Sequence, residues 1–157
     1  MLKLAKLTDY ATVLMTVLAA EPSAWASAQE LAERSHLSLA TTSKLLKQLA
    51  RARLIEAARG VHGGYRLLRA PNQITVADVV DAIEGPIAVT ECSSHTGGCS
   101  IEGSCGTRAN WRLINTAIRG ALEAVTLAQM TAPLRRSGSE TPLTFHPRPA
   151  SAPPARE

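Results

Sequence analysis

Leu54-Ile55-Glu56-Ala57-Ala58-Arg59-Gly60-Val61-His62-Gly63-Gly64-Tyr65-Arg66-Leu67-Leu68 is the stretch on which the reading of the fold turns. Leu54 to Ala57 reads as a short strand and Tyr65 to Leu68 as its return. The glycine-rich Arg59 to Gly64 between them reads as the turn of a hairpin. Taken alone, that is a common motif. Its meaning comes from what precedes it.

Upstream, Ser27-Ala28-Gln29-Glu30 is an S-x-x-E capping box that opens a short helix to about Arg34. Ser35-His36-Leu37 makes a turn, and Ser38 caps a further helix from about Leu39 to Ala52. In that helix Leu45, Leu46 and Leu49 face inward, while Thr41, Ser43, Lys44 and Lys47 lie outside. Two short helices, a tight turn and small polar residues at the start of the second make a helix-turn-helix pattern. A basic, glycine-rich hairpin directly after such a pattern is a wing. Gly60, Gly63 and Gly64 would let the backbone come close to DNA. Arg59 would enter the minor groove, where negative potential attracts it, and His62 would meet a phosphate or solvent.

The rest of the chain fits around this head. Leu7 to Ala20 is an amphipathic first helix, with Thr8 or Asp9 as candidate caps and Tyr10, Val13, Leu14, Val17 and Leu18 at helical spacing. After the Ala70-Pro71-Asn72 turn, Thr75 to Glu84 forms a short helix that Gly85-Pro86 stops. From Thr107 to about Met130 the pattern predicts one long helix. Its Trp111, Ile114, Ile118, Ala121, Val125 and Ala128 recur alternately three and four residues apart, a heptad-like seam suited to pairing two copies. From Arg135 onward Ser, Pro, Arg and Thr dominate, the composition of a disordered tail. The expected organisation is a winged head (1–70), a connecting helix (71–90), a cysteine loop (91–106), a dimerisation helix (107–131) and the tail (132–157). The fold class is mainly α.

The loop between the last two helices carries all three cysteines of the 157-residue chain, spaced C-x6-C-x5-C at Cys92, Cys99 and Cys105 among Gly and Ser. Small flexible neighbours allow the thiols to converge, which suggests a metal centre with a fourth ligand from elsewhere. An odd number of cysteines excludes a fully paired disulfide framework. No signal peptide opens the sequence and no apolar run reaches the length of a membrane span, so reduced thiols in the cytoplasm and no membrane partner are expected.

The formal charge is +4, but its distribution says more than its size. Between Lys44 and Arg69 lie seven basic residues and the single acid Glu56; between Arg69 and Arg108 there is no Lys or Arg. The positive field is concentrated where a polyanion would dock. No nucleophile–base pair, phosphate loop or HExxH motif is present, and the histidines are scattered, so neither an enzyme nor a small-molecule substrate is expected.

The helix-turn-helix, the Arg59-Gly60-x-x-Gly63-Gly64-Tyr65 wing and the three-cysteine loop followed by a Trp-bearing helix together resemble the IscR/NsrR family of iron–sulfur winged-helix regulators. The resemblance covers about residues 1 to 132. The opening Leu4-Ala5-Lys6-Leu7-Thr8-Asp9-Tyr10-Ala11 looks most like the branch that regulates SUF cluster-assembly genes. It implies a homodimer on palindromic operator DNA, with one iron–sulfur cluster per subunit ligated by Cys92, Cys99 and Cys105. The first gap is one residue longer than in the best-known members.

Some members add a His three residues after the third cysteine; here that position is Arg108, which cannot serve. Others use a carboxylate from the partner's first helix, and Asp9 matches it, with His95, Glu91 and Glu102 as alternatives. Whether the cluster is [2Fe–2S] or [4Fe–4S] does not follow from spacing. The family's base-reading positions fall on Ala40, Thr41, Ser43 and Lys44, next to the cap Ser38. Two other readings use the same thiols: a zinc site, disfavoured by the lack of a C-x2–4-C pair, and a metal-free repressor whose cysteines respond to redox change or nitric oxide.

Overall fold

A computed structural model describes residues 3–60, 62–91, 99–100 and 103–132. The elements run α1 (Lys6–Ala20), α2 (Ala28–Ser35), α3 (Leu39–Arg51), β1 (Ile55–Ala58), β2 (Gly64–Leu67), a 3-10 turn (Pro71–Gln73), α4 (Val76–Glu84), α5 (Arg108–Glu123) and α6 (Leu127–Thr131). The two strands form an antiparallel hairpin in which Ile55 faces Leu67 and Ala58 faces Gly64. Both strands lie one residue away from the expected spans, because the exit from α3 takes up Leu54. Arg53 adopts a left-handed conformation (φ 56°), and the Leu54 N–H donates back to the Leu49 carbonyl at 3.1 Å, a Schellman-type ending.

The stripes of α2 and α3 find the core the sequence assigns them; in α1 Leu14 and Leu18 do so, while Val13 is exposed and Met15 is buried in its stead. Leu14 and Met15 of α1, Leu31 of α2, and Leu45, Leu46 and Leu49 of α3 are all fully buried, and they pack with Ile55, Ile74, Val79 and Leu127. Each such side chain contributes about 1.5–3 kcal/mol of hydrophobic burial. The capping box at Ser27 and Glu30 is present as the sequence predicts, and Ser38 caps α3 by accepting from the Thr41 N–H.

Two expectations are corrected. Neither Thr8 nor Asp9 caps α1: the cap position is Ala5, which has no side-chain cap of its own. The cap comes from Glu84, at the end of α4. Its carboxylate accepts from the Ala5 N–H at 2.9 Å and from the hydroxyl of the fully buried Thr8. A carboxylate at a helix N-terminus is also favoured by the helix dipole. Asp9 stands exposed in the first turn.

The second correction concerns the 107–131 stretch, which is two helices rather than one. The chain breaks at Ala124 to Thr126, where Thr126 and Gln129 form a new capping box. The Val76 N–H donates to the Val125 carbonyl at 2.9 Å, and the Leu127 N–H donates to the Ile74 carbonyl at 2.8 Å. Leu127 thereby enters the core at 2% exposure. A straight helix would carry it away from the head and leave that apolar surface wet. The heptad-like seam therefore ends with α5, and Ala128 belongs to the returning α6.

Candidate nucleic-acid interface and metal centre

The outer face of α3 is built for a polyanion. Ala40, Ser43, Lys44, Lys47, Gln48 and Arg51 line one shallow groove along it, and α3 contains no acid. Lys44, Lys47 and Arg51 are exposed and form no ion pair among the described residues. Three other arginines of the head are committed elsewhere. Arg34 pairs with Glu21, Arg69 with Asp78, and Arg66 with Glu56 while also stacking 4.5 Å from the Trp25 ring. The sequence reading named Lys44 as a candidate contact and placed Lys47 on the same outer face; the structure sets Arg51 beside them. Their spacing of three and four residues was the available signal.

At the head of α3, the expected polar contacts are partly engaged in local structure. Ser38 Oγ accepts from the Thr41 N–H at 3.2 Å and its hydroxyl lies 2.9 Å from Thr41 Oγ1. In the wing, Arg59 and His62 are exposed. The glycines have a firmer role than giving room to DNA. A β-carbon on Gly63 would lie 2.3 Å from the Ala58 carbonyl oxygen, and one on Gly64 would lie 2.5 Å from that of Ala26. Both glycines let the hairpin close on itself and on Ala26, which bridges to Tyr65. Of the three wing glycines, Gly60 (φ +110°) alone has open space around it and needs glycine purely for its turn.

Of the proposed metal ligands, Cys92 lies outside the described residues, as do the alternatives His95 and Glu102. Cys99 and Cys105 are unpaired, half-buried thiols. Cys105 sits just before α5, with its sulfur 3.3 Å from Thr107 Oγ1. Hydrogen bonds from the Thr107 side chain and then its backbone hold the Cys105 thiol below the ordinary thiol range, which favours the thiolate that metals and electrophiles require. Asp9 and Glu91 are exposed. Among the described residues no three of His, Cys, Asp and Glu come together as a metal-binding group within one chain. The donors that are described nevertheless suit iron, being free sulfur ligands with one already biased towards thiolate.

The segment leading into the cysteine loop is held by side chains. Asp81 accepts from the Ile87 N–H at 3.2 Å and pairs with Arg119 of α5 at 2.9 Å. Asn115 of α5 accepts from the Val89 N–H at 3.1 Å and donates to the Ile87 carbonyl at 3.0 Å. Sequence reasoning missed Asn115, Asp81, Arg119 and Glu84, and none of them carries a local motif. Along its length α5 also leaves apolar side chains uncovered: Trp111 is 37% exposed, Ile114 42% and Leu113 71%.

A family profile described as "Rrf2: Iron-dependent Transcriptional regulator" matches residues 4–133. The chain belongs to the Rrf2 family. It is 32% identical over 101 residues to the HTH-type transcriptional regulator IscR of Cronobacter sakazakii, a match covering 64% of this chain and 62% of that protein. The chain thus spans less than two thirds of that relative's length. It is 35% identical over 124 residues to protein aau3 of Rhizobium meliloti, covering 78% of this chain and 76% of that one.

Among solved structures, CymR of B. subtilis, titled its global cysteine regulator, superposes with a TM-score of 0.68 at 28% identity over 83% of this chain and 97% of that chain. IscR of T. potens gives 0.62 at 27% identity over 82% and 85%. Rrf2 is a family of transcription regulators, and the fold shared with these neighbours is the winged helix. The resemblance to IscR/NsrR-type regulators read from the wing and the cysteine loop is borne out at this level. No helix of the described residues is long and apolar enough to cross a membrane.

Proposed function

We propose that this Rrf2 regulator senses through an iron–sulfur cluster held by Cys92, Cys99 and Cys105, and that it controls SUF-type cluster-assembly genes. The observation that carries the reading is the loop itself. It gathers every cysteine of the chain between α4 and α5 of a winged-helix protein, with Cys105 held beside Thr107 at the start of α5. The fourth ligand is Asp9 of the partner subunit, an exposed carboxylate in the first turn of α1 at the position where some IscR/NsrR-type members use one. When bound, the cluster supplies an iron centre whose gain, loss or oxidation is the signal.

The chain's own residues do the rest. The uncovered apolar face of α5 pairs two copies, which suits a palindromic operator read as two half-sites. Each copy presents Ser38, Ala40, Thr41, Ser43 and Lys44 of α3 to the major groove, and Arg59, Gly60, His62 and Gly63 of the wing to the adjoining backbone and minor groove. Glu84 ties α4 to the first turn of α1, so the order of the loop region bears on the pose of the head. A coupling of ~1–3 kcal/mol between the two is enough for regulation.

Anaerobic native mass spectrometry with a visible spectrum of the same sample tests this. A brown dimer carrying iron and sulfide supports it, and the mass gives the cluster type. A second reading, a thiol switch, draws on the lowered Cys105 thiol and on the likeness to CymR, which for Staphylococcus aureus has also been solved in an oxidized form. A dimer that stays colourless after reconstitution with iron and sulfide, with thiols that titrate reversibly, selects that reading; bound zinc selects a zinc site.

Arg59→Ala is expected to weaken operator binding severalfold and to lower the slope of log K against log salt by about 0.9, the loss of one phosphate neutralisation. Cluster content should not change. Equal binding across a salt series removes Arg59 from the interface.

A further inference from the structure

Residues Ile87 to Val89, which lead into the cysteine loop, have no helix or strand of their own. Backbone polar groups in half-buried segments need partners, and here side chains supply them. The Ile87 carbonyl and the Val89 N–H flank Ala88 and turn to the same side, as in an extended strand facing a neighbour. The group they meet is the carboxamide of Asn115, about two turns into α5. A carboxamide carries one donor side and one acceptor side, as a peptide unit does, and among side chains of this length only Asn has both. Asp81 takes the remaining Ile87 N–H and is itself pinned to α5 through Arg119.

We propose that Asn115 is a positioning residue for the cysteine loop, its amide standing in for a missing strand and closing the neck of the loop against α5. The proposal rests on the loop's holding a cluster. The chain enters the loop from Val89 and leaves it through Cys105 into α5. With Asn115 in place both stems are fixed to one rigid helix, so the entropy of bringing them together is already spent before metal binds. Without it the entering stem loses both of these bonds to α5, and any centre held across the loop is easier to open.

The test uses the full chain, reconstituted anaerobically with iron and sulfide, in three forms: wild type, Asn115→Leu and Asn115→Asp. Leucine matches the shape of Asn and favours the helix but makes neither bond; aspartate keeps the acceptor for Val89 and loses the donor to Ile87. Iron release to an anaerobic chelator is expected to be about tenfold faster in Asn115→Leu, the weight of two ordinary net hydrogen bonds, and intermediate in Asn115→Asp. In the metal-free proteins, amide exchange should rise in a peptide spanning residues 86–91 and stay unchanged across α5, which separates opening of the neck from general unfolding.

Wild-type release rates and wild-type exchange in a folded Asn115→Leu protein overturn the proposal. If that variant does not fold, Asn115→Asp decides alone, and release at the wild-type rate overturns it equally. A wild-type protein that takes up no cluster sinks the functional reading instead, while the exchange measurement still shows whether Asn115 closes the neck.

Discussion

Cys105→Ala is expected to give a folded protein that stays colourless after anaerobic reconstitution with iron and sulfide. The side chain is half-buried at a loop end and its hydrogen bonds are to nearby Thr107 and Arg108, so its removal should change stability little. Its removal from the ligand set is another matter. A cluster iron that loses a thiolate exchanges a strong soft donor for water, and an oxygen fourth ligand such as Asp9 leaves little reserve. Cys92→Ala and Cys99→Ala should behave alike. The checks are far-UV circular dichroism for the fold, visible absorbance for the cluster, and operator binding in both states. Full visible absorbance in all three variants would show that the ligand assignment is wrong. Loss of colour with unchanged regulation of binding would leave the cluster bound but not sensed.

Gly64→Ala should be strongly damaging to the head. Gly64 has φ +146°, and an added β-carbon meets the carbonyl oxygen of Ala26 at 2.5 Å and its carbonyl carbon at 2.8 Å. Neither is the end of a flexible side chain, so backbone has to move. What moves is the bridge in which the Ala26 N–H donates to the Tyr65 carbonyl at 3.1 Å and the Tyr65 N–H donates to the Ala26 carbonyl at 2.8 Å. Backbone strain at a glycine-only φ together with this lost bridge amounts to about 2–4 kcal/mol, or a fall of roughly 10 °C in Tm. DNA affinity should drop further than stability alone accounts for, because the hairpin presenting Arg59 is the part displaced. Gly60→Ala is the graded control. It also has a positive φ (+110°), but nothing lies within 4 Å of its β-position. Its cost is conformational only, on the order of half as large. Thermal unfolding of the two metal-free variants side by side checks the ranking, and equal Tm values would contradict it.

The difference between these two glycines shows where sequence reading stops. That the Arg59–Gly64 stretch turns back on itself was legible from its composition, and so was the helix-turn-helix before it. Ser27 with Glu30, and Ser38 before a run of buried leucines, are signals that act over three or four residues, the range in which backbone and side chain meet whatever the rest of the chain does. The grouping of three cysteines between α4 and α5 is a matter of sequence position alone. Their ligand geometry was not legible, and neither was the committed or uncommitted state of each arginine: Arg66 and Arg59 look alike in the sequence, yet one is held by Glu56 and Trp25 and the other is exposed.

The sequence by itself determined the helices, the hairpin, the basic face of α3 and the thiol loop, because periodicity and capping are local. Only the tertiary structure decided what joins them. Glu84 caps α1 across 79 residues, and Asn115 reaches back 26 and 28 residues to the stem of the loop. The break before Leu127 carried a legible sign in Thr126 and Gln129, but the three-and-four spacing ran straight through it. Burial of Leu127 beside Ile74 settled that contest. A local pattern states which face of an element is apolar. Which distant element covers it, and which distant side chain completes its hydrogen bonds, depends on the packing of the whole chain.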